Sequence, residues 1–248
     1  MSFAFLAADS ATAVGEDRPL ARSPIEWAQR SDGAEFVERA GWRVVAGYGA
    51  ADEEAAACRS TVGVVDRSCL GKLELQGDPA TVASIVATLA GGAVLELGQA
   101  LLADQVWWCP LTATRVLAVT PPEATARVRD GLEAAGADGS FASVTELTSA
   151  FGSNAVIGPL ARETFARVTA LDLRPDRFAP GAFAPVSVAR TPGMLLRESG
   201  DRFLHLFGAG YAYYTWTVFL DAARQLGGRA VGEDALRAVT GERVADDA

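Results

Sequence analysis

Four stretches of this 248-residue chain share one form: a short apolar strand, a Gly or Pro break, then an amphipathic helix. They read "KLELQGDPATVASIVATLAGG", "RVLAVTPPEATARVRDGLEAAG", "NAVIGPLARETFARVTAL" and "RFLHLFGAGYAYYTWTVFLDAARQLGG". Internal repetition of this kind narrows the fold more than any single motif. Pro79, Pro122 and Pro159 suit first helical positions, where a preset φ helps and the missing N–H costs nothing. Gly91, Gly136 and Gly227 fall where helix ends belong. Val82, Ile85, Val86 and Leu89 follow helical spacing in the first unit, as do Phe165, Val168 and Leu171 in the third.

A strand candidate, Gln105–Leu111, lies between the first two units, and "APVSVARTPGMLLRE", with Ser199–Asp201 as a turn, lies between the last two. The chain therefore reads β-α-β-β-α twice, with a further strand after each pass at 140–148 and 228–231. This predicts an α+β protein of two related ferredoxin-like halves. The halves span 31–148 and 149–248, behind an N-terminal arm over 1–30 of little periodicity, mobile or partner-binding. The end, "GERVADDA", reads as solvated.

Composition removes several function classes. Half the residues are hydrophobic, enough for a substantial core. The net charge of −9, with no Lys/Arg cluster, argues against nucleic acid as a partner. No apolar run reaches membrane-spanning length and the start lacks a basic n-region, so a reducing cytoplasm is the expected location. Cys58, Cys69 and Cys109 are odd in number and widely spaced, so neither a disulfide framework nor a zinc site is expected. The single histidine, His205, excludes a His-rich metal centre.

Between the strand candidates Val62–Val65 and Lys72–Leu75 sits "DRSCLGK", a loop rich in reactive groups. Asp66 and Ser68 suit side-chain to backbone bonds that hold a turn, and nothing nearby activates Cys69. The wider line "AGWRVVAGY…DEEAAACRSTVGVVDRSCLGKLELQGDPA" resembles the folate-binding region of the glycine cleavage T-protein (aminomethyltransferase) family. Ala40-Gly41-Trp42, Gly63, Asp66, Ser68, Gly71, Gly77 and Ala80 match its pattern; Asp78-Pro79 stands where Gly-Pro is usual. "GPLARETFARVTALDLRPDRFAPG" (158–181) is similar to the gamma subunit of heterotetrameric sarcosine oxidase. The resemblance covers about 35–242 and has no counterpart to the T-protein's C-terminal barrel, which fits the gamma type.

The resemblance implies a tetrahydrofolate cavity lined by Leu70. It also marks departures. Asp104-Gln105 replaces the catalytic Asp pair, so Gln105, which cannot titrate, takes the catalytic position and leaves Asp104 as the one candidate acid. Asp104 and Gln105, read as strand neighbours, point to opposite faces. Leu204, followed by His205, stands where the family recognises the pterin with a glutamate, and Glu233 stands where it has an arginine.

Three readings follow. In the first, the chain is a non-catalytic accessory subunit of a folate-linked complex that oxidises N-methyl amines, with protein partners or a second copy. In the second, it is a tetrahydrofolate-dependent aminomethyltransferase with a rearranged site, in which Asp104, Glu198 or Asp201 supplies the acid or base. A third, binding without reaction, would use Gln105, Trp107 and Arg197. Of the adjacent Trp107 and Trp108, alternation sends one into the core and the other to the opposite face. "GYAYYTW" (210–216), aromatic all round, suggests burial on more than one face.

Overall fold

The computed structural model describes residues 20–136 and 141–241, and these form an α+β architecture of three sheets. The chain opens with β1 (Ala21–Arg22), α1 (Glu26–Ser31), β2 (Glu35–Arg39), β3 (Trp42–Gly47) and α2 (Ala51–Ser60). Strands β1, β3 and β2 make a small sheet. The expected arm lies outside the described residues as far as 19. Beyond that, residues 21–31 are ordered as β1 and α1, because Ile25, Ala28 and Gln29 share one buried face.

Strand β4 (Gly63–Asp66) leads through the "DRSCLGK" loop into β5 (Gly71–Gly77), α3 (Pro79–Leu89), β6 (Leu101–Ala103), β7 (Val106–Thr112), β8 (Arg115–Thr120), α4 (Thr125–Ala135) and β9 (Ala142–Glu146). The five strands from β5 order as β6-β7-β8-β5-β9. Local chemistry explains α3: Asp78 accepts the Ala80 and Thr81 N–H groups at 3.1 Å, Pro79 follows, and Val82, Ile85 and Val86 turn inward.

The second pass runs β10 (Phe151–Ile157), α5 (Ala161–Ala166), β11 (Phe183–Val188), β12 (Thr191–Ser199), β13 (Arg202–Gly208), α6 (Ala212–Arg224), β14 (Arg229–Ala230) and α7 (Glu233–Thr240). Its sheet orders as β11-β12-β13-β10-β4-β14. The two passes therefore share one strand order, each with an added outer hairpin strand, β6 or β11. The second sheet has one intruder: β4 inserts between β10 and β14, antiparallel to the first and parallel to the second.

Some expectations shift in detail. "APVSVARTPGMLLRE" is two strands, not one. They are joined at Ala189-Arg190, both in the left-handed region (φ 51° and 61°) as a tight hairpin turn requires. The helix of the third repeated unit, α5, stops at Ala166; Val168 and Leu171 reach the core from irregular backbone, held where Thr169 donates to the Ser187 carbonyl. "GERVADDA" lies outside the described residues after Gly241.

Each of the two large sheets carries helices on its outer face, and their inner faces pack on each other. Leu117 and Val119 of β8 meet Leu196, Leu204 and Leu206 across this central layer, which Ala55 of α2 and Leu236 of α7 close at one end. Alternation splits the tryptophans as expected: Trp108 is buried under α3 and α4, while Trp107 faces the central layer. Helix α6 buries Trp216 and Phe219 but leaves Tyr213 and Tyr214 about half exposed, with Tyr213 stacked 4.7 Å from the exposed Trp27. Among the described residues no helix is long and apolar enough to cross a membrane.

Candidate functional site

The "DRSCLGK" loop carries the chain from one large sheet to the other, and its polar groups are spent on that crossing. Asp66 accepts the Ser68 N–H at 2.9 Å through one oxygen and Gln29 Nε2 at 2.9 Å through the other. Ser68 Oγ accepts the Ser153 N–H, and Ser153 Oγ donates to the Arg67 carbonyl. Lys72, fully buried, donates from Nζ to the Ser68 carbonyl at 2.8 Å. A Cβ on Gly71 would stand 2.2 Å from Thr125 Oγ1, so only glycine fits. Buried Cys69 is pushed above the ordinary thiol range by desolvation, then by Glu233 beside it, which favours the protonated thiol.

This bracing aims Leu70 into a cavity of about 230 Å³ where the small sheet, the crossover loop and the central layer meet. Leu70, Trp107, Leu102, Val119 and Val44 supply apolar wall. Trp107, Leu102 and the Glu198–Arg202 ion pair (2.7 Å) also border a second, more open recess of about 520 Å³ that contains Asp201 and Pro159. The recess adjoins the cavity through these shared residues.

The polar end of the cavity is an ion cluster around Glu233, the first residue of α7. Arg39 Nη1 donates to it at 3.3 Å, Arg67 Nη1 at 3.2 Å, Arg237 Nη2 at 3.1 Å and Cys69 Sγ at 3.4 Å. The carboxylate is buried. Arg39 also reaches Asp234 at the rim, at 2.7 Å. Burial holds the Arg237 guanidinium below its ordinary value, with Arg39 and Arg67 pushing the same way and Glu233 opposing.

Of the residues singled out in the sequence, Leu70, Gln105, Trp107 and Glu198 converge on the cavity. Asp104 does not line it: it pairs with Arg127 at 2.7 Å on an exposed turn. Asp104 and Gln105 are the two turn residues between β6 and β7 (φ 48° and 62°), so strand alternation does not govern them. Leu204 packs in the central layer with Leu70. Arg197 is enclosed elsewhere, donating to the carbonyls of Phe178, Ser199 and Gly200 and lying over the Phe203 ring. His205 faces the opposite side of its sheet, among Phe165, Phe207 and Phe219. Both its ring nitrogens lack a hydrogen-bond partner among the described residues, and desolvation lowers its pKa to about 3. Arg39, Arg67, Arg202 and Arg237 were not anticipated as site residues. No local pattern marks them, because they meet only through tertiary structure.

The walls and the donor set treat tetrahydrofolate differently. Leu70 and Trp107 offer flat apolar surface suited to a ring. The amino-pyrimidine edge of a pterin presents N–H donors and calls for a free carboxylate. Glu233 already accepts three guanidinium bonds and Glu198 already accepts Arg202, so the enclosed carboxylates do not fit that edge. Among the described residues no group of three or more His, Cys, Asp or Glu is placed to hold a metal.

No curated protein matches the chain in sequence. Solved structures that share its fold include two of known activity. The glycine cleavage system aminomethyltransferase T from Bartonella henselae superposes with a TM-score of 0.75 at 21% identity, covering 91% of this chain and 64% of that one. This chain thus spans just under two thirds of that protein's length. Heterotetrameric sarcosine oxidase from Corynebacterium sp. U-96 superposes with a TM-score of 0.62 at 19% identity, covering 72% of this chain and 93% of that one. The GCVT N-terminal domain model matches residues 25–244, nearly the whole length, and the chain belongs to that family.

Proposed function

We propose that the chain is a non-catalytic accessory subunit, like the gamma subunit of sarcosine oxidase, in a cytoplasmic complex that oxidises N-methyl amines and feeds one-carbon metabolism. The observation that carries this reading is the state of the cavity's enclosed carboxylates. A general base must be within reach of its proton and able to take it. Glu233 is held by three arginines and Glu198 by Arg202, while Asp104 sits outside on a turn. Gln105, at the position of the family's catalytic Asp, has no titratable group. The exposed Trp27, Tyr213 and Tyr214 add support, since Trp and Tyr are enriched where proteins meet.

The test has two arms. Co-expressed with its genomic neighbours, the chain co-elutes with flavin-containing subunits; a chain that stays alone through every combination sinks the proposal. Titrated with tetrahydrofolate, the isolated chain keeps its melting temperature.

A second reading, a folate-binding aminomethyltransferase, draws on the retained cavity and its Leu70 and Trp107 walls. Ligand at a hundred times Kd stabilises by about 2.7 kcal/mol, a shift of several degrees. Such a shift, together with aminomethyl transfer by the isolated chain, would decide for this reading.

A further inference from the structure

We propose that Arg39, Arg67 and Arg237 form an anion site that recognises a small carboxylic acid, and that Glu233 occupies it as a built-in competitor. The inference concerns the ligand class of the cavity and holds whether or not the chain has partner subunits. Three guanidiniums from different parts of the chain converge on one enclosed carboxylate: Arg39 ends β2, Arg67 lies in the crossover loop and Arg237 is one turn into α7. Their bonds to it run 3.1–3.3 Å. A cluster of like charges at this depth is repulsive unless an anion sits inside it. Arginine's planar fork is suited to carboxylate. The occupant in this conformation is a carboxylate, so a carboxylate is the replacement whose charge and geometry the site already fits.

The site also has room beside it. The cavity of about 230 Å³ adjoins the cluster and is walled by Leu70 and Trp107, so an acid with a flat apolar body has a place for both ends. The backbone beneath Glu233 is pinned. Glu54 Oε2 accepts the Gly232 N–H at 2.7 Å, and Gly232 presses so closely on Ala46 that a Cβ there would stand 1.9 Å from its carbonyl oxygen. Opening the site therefore asks only the Glu233 side chain to turn away. An incoming acid competes with a carboxylate that is always present at the site, so binding to the native chain is weak.

Chemical rescue by acetate tests this. In Glu233→Ala the arginines lose their anion and acetate can take its place. Melting is followed in acetate and in chloride at equal ionic strength. The native chain responds equally to both salts. E233A melts lower in chloride, and acetate at high multiples of its Kd raises it by about 5 °C or more. The double variant E233A/R237M loses most of that rise. The proposal is overturned when E233A responds to acetate no more than the native chain does, or when the rise survives unchanged in E233A/R237M. When E233A does not stay folded in chloride, refolding yield from urea replaces melting: a higher yield in acetate supports the site, and equal yields in both salts overturn it.

Discussion

Lys72 is the only lysine in the chain, and none of it reaches solvent. Burial lowers its pKa from 10.5 to about 8, against the pull of Cys69 and Asp66. Between those pH values the unfolded chain holds more protons than the folded one, so native stability rises with pH across that window. Below pH 8 the penalty is complete, at about 3 kcal/mol. Urea midpoints for the native chain and Lys72→Met, compared at pH 7.5 and pH 10, are expected to move in the native chain's favour at the higher pH; a constant difference would refute this. His205 behaves alike in a lower window. Its pKa drops from 6.5 to about 3. Above pH 6.5 the ring is neutral folded and unfolded, so no charging penalty arises, and stability is lost as pH falls from there toward 3. His205→Leu should therefore gain on the native chain in acid-unfolding curves, the gain growing as pH falls and reaching its full size near pH 3. At this scale the sequence was readable where alternation rules, as for Trp107 and Trp108. It was silent where charges meet from afar: Arg67 and Glu233 lie 166 positions apart.

Elements were legible where punctuation is chemical. Asp78-Pro79 marks the start of α3 and is found there as cap and first residue. The β11–β12 hairpin was illegible for the converse reason. Its turn residues, Ala189 and Arg190, are not turn formers, yet both take positive φ. A non-glycine residue there carries backbone strain of about 1 kcal/mol. Arg190→Gly should relieve it and raise the unfolding free energy by about 1 kcal/mol, read from urea denaturation with an unchanged slope. A lower midpoint would show that the Arg190 side chain contributes more than its backbone costs. The β6–β7 turn follows the same rule: Asp104-Gln105 looked like the edge of a strand and is its corner.

At the scale of the molecule, the repeated β–α unit foretold two related sheets, and the α+β architecture has them. It did not foretell that β4 crosses over, because hydrophobic periodicity says which face of a strand is buried and not which neighbour it pairs with. The consequence can be measured. Fragments 1–148 and 149–248 each lack part of the six-stranded sheet: the first has β4 without β10 and β14, and the second has the reverse. Expressed separately, neither should give a dispersed amide spectrum; co-expressed, they should co-purify. Two fragments that fold alone would count against the exchange. The same crossing sets a timetable for synthesis. As the chain leaves the ribosome, β4 has no sheet to join until β10 appears, and α2 waits for α7. At about 5–20 residues per second that delay is on the order of ten seconds or more. Until β10 emerges, Val64 and Val65 have neither sheet neighbour in place, so a nascent chain stalled before residue 151 is the form that chaperones must protect.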